Sequence, residues 1–140
     1  MYTKQFEIRW NDLDANQHLG NSKYTEFMSH TRMAFFNAQD LDLNTMNSYG
    51  LGPIVLYEHI YYFKEVHLND TIIVSLEVSG MTRDGRFMII QHNFYNSDGT
   101  AFKFESVEDQ ACVIFCQRWD LQPQIKRVRN KWREAEGLFK

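Results

Sequence analysis

Apolar and polar positions alternate at the start of the chain. Phe6, Ile8 and Trp10 fall on one side and Glu7 and Arg9 on the other, which predicts a half-buried strand from Thr3 to Trp10. A polar stretch, Asn11 to Gly20, follows. From Asn21 the period becomes helical: Tyr24, Phe27, Met28, Thr31 and Phe35 recur three or four apart with Ala34 beside them, while Lys23, Glu26, Ser29, His30 and Arg32 fall on other faces. Asn21 is expected as the N-cap and the helix to end near Asn37, at about 1.5 Å per residue a length of about 25 Å.

Gln39 to Gly52 reads as a polar loop, and strand-like runs come after it: Ile54 to Phe63, Thr71 to Ser79, Arg86 to Tyr95 and Ala101 to Gln117. In the second run Ile72, Val74, Leu76 and Val78 share a face. Asn69-Asp70 reads as a turn, since Asn tolerates left-handed backbone. Asp84-Gly85 is a hairpin signal, and Asn96 to Thr100 is the next turn. The last run is long for a strand, so a bulge is expected between Ser106 and Asp109. Ile125, Val128 and Trp132 are spaced for a short helix within Gln124 to Glu136. The order predicts an α+β domain: a five-stranded antiparallel sheet, its later strands joined by short hairpins, wrapped around one long central helix, plus a short C-terminal helix.

The length of 140 residues makes this a single domain, 1–140. With 44% hydrophobic and 24% charged residues the chain is not of the disordered class, and aromatics at 15% provide bulky core material. No apolar run approaches the ~18 residues of a membrane span. The start lacks a basic segment followed by an apolar one, so no secretory signal is expected. A net charge of −3 argues against general nucleic-acid binding. Cys112 and Cys116 lie four steps apart in a predicted strand, about 13 Å, beyond the ~7 Å that a disulfide spans; they read as reduced core residues, and a cytoplasmic location is expected.

The chemistry concentrates in Asp12-Leu13-Asp14-Ala15-Asn16-Gln17-His18-Leu19-Gly20-Asn21. Two carboxylates, an amide, an imidazole and a glycine stand just before a helix. A helix N-terminus has unpaired N–H groups and partial positive charge, which can polarise a carbonyl or hold an oxyanion. Gly20 lets a ligand approach the backbone, and a carboxylate upstream could activate water or attack directly. The plainer alternative is that Asp and Asn here only cap and turn. No metal site is expected, because Asp14, Asn16 and His18 have no obvious further ligand.

This loop, followed by Tyr24, resembles that of hotdog-fold thioesterases, in particular the 4-hydroxybenzoyl-CoA thioesterase-like group, and the D-x-N-x-H pattern of acyl-carrier-protein thioesterases. The resemblance in element order covers about residues 3 to 118. It implies an acyl-CoA or acyl-carrier-protein thioesterase needing no cofactor. Asp14 would be its general base or nucleophile. The N–H groups near Gly20 and Asn21 would donate to the thioester carbonyl, and Asn16 and His18 would assist in positioning or proton transfer. Asp12 is expected to brace the loop.

An acyl slot is expected from Tyr24, Phe27 and Met28 with Tyr57, Tyr61 and Phe63; cations for a phosphate-bearing carrier are expected at Arg83, Arg86 and Lys103 or in the basic tail. One helix cannot cover both faces and edges of such a sheet, so a homodimer or homotetramer is expected. Competing readings are a protein of this fold that binds acyl thioesters without hydrolysing them, a dehydratase using Glu26 and His30, which sit on the polar side of the helix, and a purely structural interaction protein.

Overall fold

The computed structural model describes residues 1–50, 52–83 and 87–100, together with the backbone of the strand 111–116. The side chains at 56 and 57 lie outside that description, as do Arg86, Asp84-Gly85, Lys103, the expected bulge at 106–109 and the expected helix at 124–136.

Strand β1 (Tyr2–Glu7) alternates half-buried Tyr2, Lys4 and Phe6 with exposed Thr3, Gln5 and Glu7. The inward face continues to buried Ile8, whose N–H donates to the Asp70 carbonyl at 3.0 Å. The expected strand ends earlier than its pattern, because Trp10 opens a 3-10 turn (Trp10–Asp12) and is 79% exposed.

Helix α1 (Asn21–Ala38) buries Tyr24, Phe27, Met28, Thr31, Arg32, Phe35 and Phe36. Its N-cap is Gly20, not Asn21, and no side chain caps it. The buried Thr31 hydroxyl is satisfied within the helix by donating to the Phe27 carbonyl at 2.8 Å. Gln39 to Gly52 is not all loop. Asp42 accepts from the Thr45 N–H at 2.7 Å and caps helix α2 (Leu43–Ser48), which turns Met46 into the core.

The strands that follow are β2 (Pro53–Glu58), β3 (Thr71–Met81), β4 (Met88–Gln91), β5 (Phe94–Asn96) and β6 (Ala111–Cys116). All their pairings are antiparallel, in the order β1-β3-β4-β6-β2, with β5 also on β3. Hence β2 and β3 are not hairpin neighbours: β2 stands at the far edge beside β6, and residues 59–70 cross between the two. Ile72, Val74 and Leu76 are buried on β3 and Val78 is half-buried, the face that the alternation marked. Asn69 has φ 67 in the turn before β3.

β4 and β5 fill the single strand expected from Arg86 to Tyr95. Register on β3 is the same on both sides of the gap, Glu77↔Gln91 and Val74↔Phe94. One half of the rung between them is kept, the Ser75 N–H donating to the Asn93 carbonyl at 2.9 Å, and the other half is taken by the His92 ring. Its Nδ1 donates to the Ser75 carbonyl at 2.7 Å, so the Asn93 N–H takes the Ser75 hydroxyl instead at 3.0 Å.

α1 lies against β1 and β3. Phe27 stacks on Phe6 with centroids 4.6 Å apart, Phe35 meets Tyr2 edge-on, and Tyr24 meets Phe94 edge-on. No helix among the described residues is long and apolar enough to cross a membrane.

Candidate active site

The loop before α1 is tied at both ends. Leu13 and Leu19 form an isolated antiparallel bridge, and the Gly20 N–H donates to the Asp12 carbonyl at 3.0 Å. Buried Asp12 anchors its base. One carboxylate oxygen takes the Arg9 backbone N–H at 2.9 Å and Arg9 Nε at 3.3 Å; the other takes Arg9 Nη2 at 3.1 Å, with Lys23 Nζ 3.8 Å away. Burial pushes the Asp12 carboxyl up, but the Arg9 hydrogen bonds and the Arg9 and Lys23 charges outweigh it and hold the group below the usual carboxylate range.

Asp14 stands at the loop's tip, exposed. Its Oδ1 accepts from the N–H groups of Asn16 at 2.9 Å and His18 at 3.1 Å, and its backbone N–H donates to the His18 carbonyl at 2.8 Å. Gln17, at φ 62, supplies the left-handed residue that closes the turn. Oδ2 of Asp14 has no hydrogen-bond partner among the described residues.

Asp14 lines two hollows. One, of about 480 Å³, is walled by Asp14, His18, Asn21, Tyr24, Tyr62 and Phe63 with Leu19, Lys64 and Glu65. The other, about 910 Å³, runs past Trp10, Asn11 and Asn16 to His67 and Leu68. The smaller hollow contains the start of α1. There the Gly20 N–H, expected as a donor, is already engaged by Asp12, and the Lys23 N–H bonds the Gly20 carbonyl at 2.9 Å. The N–H groups of Asn21 and Ser22 have no acceptor among the described residues, so the bare donors begin one residue later than Gly20.

Of the expected slot residues, Tyr24 and Phe63 wall this hollow. The Tyr24 hydroxyl donates to the Lys64 carbonyl at 3.0 Å, and burial, with Tyr62, Glu65 and Asp14 nearby, pushes it up to about 12. Phe27 is instead core, stacked on Phe6, and Met28 is core as well. Tyr61 is exposed and stacks on Phe63, with centroids 5.8 Å apart and planes at 4°. Tyr57 is on β2 with its side chain outside the description, and Arg83 is exposed beyond the end of β3, away from both hollows.

Sequence reasoning missed Tyr62, which meets Tyr24 edge-on at 5.2 Å. The alternation of residues 54–63 put Tyr61 and Phe63 on one face and gave no reason to select Tyr62. It also missed two neighbours of His18. His18 Nε2 is 3.4 Å from Glu65 Oε2, and the His18 and His67 rings meet edge-on at 5.1 Å. Both partners come from the crossing segment between β2 and β3.

Residues 8–130 match the model of the thioesterase-like superfamily, and the chain belongs to that family. Its sheet around a long helix is the hotdog fold. The 1,4-dihydroxy-2-naphthoyl-CoA (DHNA-CoA) thioesterase of Staphylococcus aureus superposes with a TM-score of 0.80 at 13% identity, over 97% of this chain and 91% of that one. The 1,4-dihydroxy-2-naphthoyl-CoA thioesterase of Synechocystis gives 0.67 at 14%, over 91% and 93%. A hypothetical protein of S. aureus, solved in complex with CoA, gives 0.74 at 18%, over 92% and 80%. No protein of curated function matches the sequence.

Proposed function

We propose that the protein is a thioesterase that hydrolyses an acyl-CoA to free acid and thiol. The observation that carries this reading is the placement of Asp14: one carboxylate oxygen is held by two loop amides, the other is open, and the same hollow is lined by Asn21, the first residue of α1, whose N–H is unpaired among the described residues. Thioester hydrolysis needs a water activator or nucleophile, donors for the developing oxyanion and an apolar seat for the acyl group. Asp14 supplies the first, the N–H groups of Asn21 and Ser22 the second, and Tyr24, Tyr62 and Phe63 the third. His18, on the same wall, positions substrate or passes a proton; Asn16 holds the Asp14 carboxylate through its backbone. Two structural relatives are CoA thioesterases and a third was solved with CoA, which favours CoA over a carrier protein as donor.

A second subunit belongs to this reading. Among the described residues β2 is a sheet edge, and it leaves Ile54 and Val55 exposed. Pairing of two copies there would cover both.

A panel of aliphatic and aromatic acyl-CoAs, followed by release of free thiol, tests the proposal. Turnover of at least one member is expected, lost in Asp14→Asn with an unchanged circular-dichroism spectrum and melting profile. Full activity in that variant would overturn it. Saturable binding of the acyl-CoAs with no turnover would instead favour the non-hydrolysing reading.

A further inference from the structure

His18 and the pair Glu65 and His67 come from distant parts of the chain, yet their backbones are pinned together. The Leu19 N–H donates to the Val66 carbonyl at 2.7 Å, and both side chains are buried, Leu19 4% and Val66 1% exposed. With Val66 turned inward, Glu65 and His67 on either side of it stand out to solvent, facing His18 beside Leu19. One ligand atom from each of the three lies within 4.8 Å of the others.

We propose that His18, Glu65 and His67 bind a transition-metal dication of the Zn2+ type beside the two hollows that Asp14 lines, His18 and Glu65 on the smaller and His67 on the larger. The chemistry of the donors selects the ion: two imidazoles and one carboxylate suit Zn2+, whereas Mg2+ and Ca2+ prefer oxygen throughout. The geometry is partly in place. Ligands bonded at ~2.0–2.2 Å around a tetrahedral ion sit about 3.4 Å apart, and His18 Nε2 is 3.4 Å from Glu65 Oε2. His67 is exposed and closes the remaining gap by rotating its side chain. Asp70 stands behind it. Asp70 Oδ2 accepts the His67 backbone N–H at 2.8 Å and lies 3.9 Å from His67 Nδ1, from where a small turn of the ring makes the carboxylate–imidazole hydrogen bond that orients metal-bound histidines. Three protein ligands leave one coordination position open. An ion there occupies His18 Nε2 on the hollow's wall, so the ring can no longer pass a proton and the ion inhibits the hydrolysis proposed above; this consequence rests on that reading, and the binding does not.

Titration calorimetry of the chelator-stripped full chain with Zn2+, and visible spectroscopy with Co2+ as its stand-in, test the site. One ion per chain is expected, with the intense d–d bands of a four-coordinate centre. His67→Ala and Glu65→Gln should each abolish the bands, and Asp70→Asn should weaken Zn2+ binding about tenfold or more. The folds are safe, since all three side chains are exposed. Absence of binding in the wild type, or equal binding in His67→Ala, overturns the proposal. Thiol release by the stripped protein, read with and without Zn2+, separates the two readings. Bands without inhibition overturn the inhibitory consequence, whereas bands in a protein that hydrolyses nothing support the metal site and sink the reading of Asp14.

Discussion

Arg32 Nη1 lies 3.3 Å from His92 Nε2 in the core, where α1 meets the broken rung of the sheet. Both residues are buried. The Ser75 carbonyl can only accept, so the His92 proton sits on Nδ1 and Nε2 presents its lone pair to the guanidinium. Arg32 also reaches Ser29 Oγ at 2.8 Å and Glu58 Oε1 at 3.8 Å. The contact joins helix, β2 and β3 through one charged group.

That arrangement predicts acid sensitivity. Burial, first, and the Arg32 charge lower His92 to about 3, against the opposing pull of the Ser75 carbonyl. The folded state therefore keeps His92 neutral where the unfolded chain, titrating near 6.5, takes up a proton. Stability from this group is complete above pH 6.5 and falls as pH drops toward 3, at up to about 1.4 kcal/mol per pH unit. Urea unfolding at pH 7, 6, 5 and 4 should show the decline. His92→Gln, which keeps an acceptor for Arg32 but does not titrate, should flatten it; an equal slope in that variant would locate the sensitivity elsewhere.

Asp12 gives a second, lower window. Its folded carboxyl is held below the usual value of 3.8, so its stabilisation is present above that value and is lost as pH falls through the folded one. Asp12→Ala leaves the Arg9 N–H without its acceptor. It should cost about 1–3 kcal/mol in urea unfolding at pH 7. Because Asp12 fixes the base of the Asp14 loop, kcat should fall more than KM rises. A variant with wild-type kinetics would separate Asp12 from the positioning of Asp14.

Tyr24→Phe distinguishes wall from anchor. The variant retains the ring that meets Tyr62 and Phe94 but removes the donor to the Lys64 carbonyl. A loss of about 1 kcal/mol is expected, with KM little changed if only the ring touches the acyl group. A large rise in KM at unchanged stability would show that the hydroxyl contacts substrate.

How much of this could be seen in the sequence depended on whether a face or a contact was asked for. β1, α1 and the inner face of β3 were legible, since each buries one side and the burial period is written in Phe6, Ile8, Tyr24, Phe35 and Val74. Arg32 was not legible: a guanidinium on a helix reads as solvent-facing until its partner, sixty residues away, is known. The place of β2 at the far edge was hidden for the same reason, since nothing local in 53–58 says that β6 and not β3 pairs with it. α2 carried a readable sign in Asp42, outweighed by the polar residues around Met46. In the site, Asp14 and the start of α1 were legible from spacing within one loop. Glu65 and His67 were not, because the Leu19–Val66 hydrogen bond that brings them to His18 is long-range.

Gly20 offers the most direct test of the helix start. Its φ of −62 and ψ of 141 are open to any residue, and a Cβ there would meet the Asp12 carbonyl at 3.6 Å and Lys23 Cγ at 3.9 Å, ordinary contact distances. Nothing in the fold therefore demands glycine. Gly20→Ala should leave stability within about 1 kcal/mol of wild type, a stiffer unfolded chain offsetting a poorer cap. If a thioester carbonyl approaches the Asn21 and Ser22 amides, the added methyl stands in its way, and kcat/KM should fall on the order of 100-fold. Melting curves and acyl-CoA kinetics on the same preparation decide it: undiminished kcat/KM would remove the start of α1 from the site and leave Asp14 without its oxyanion donors.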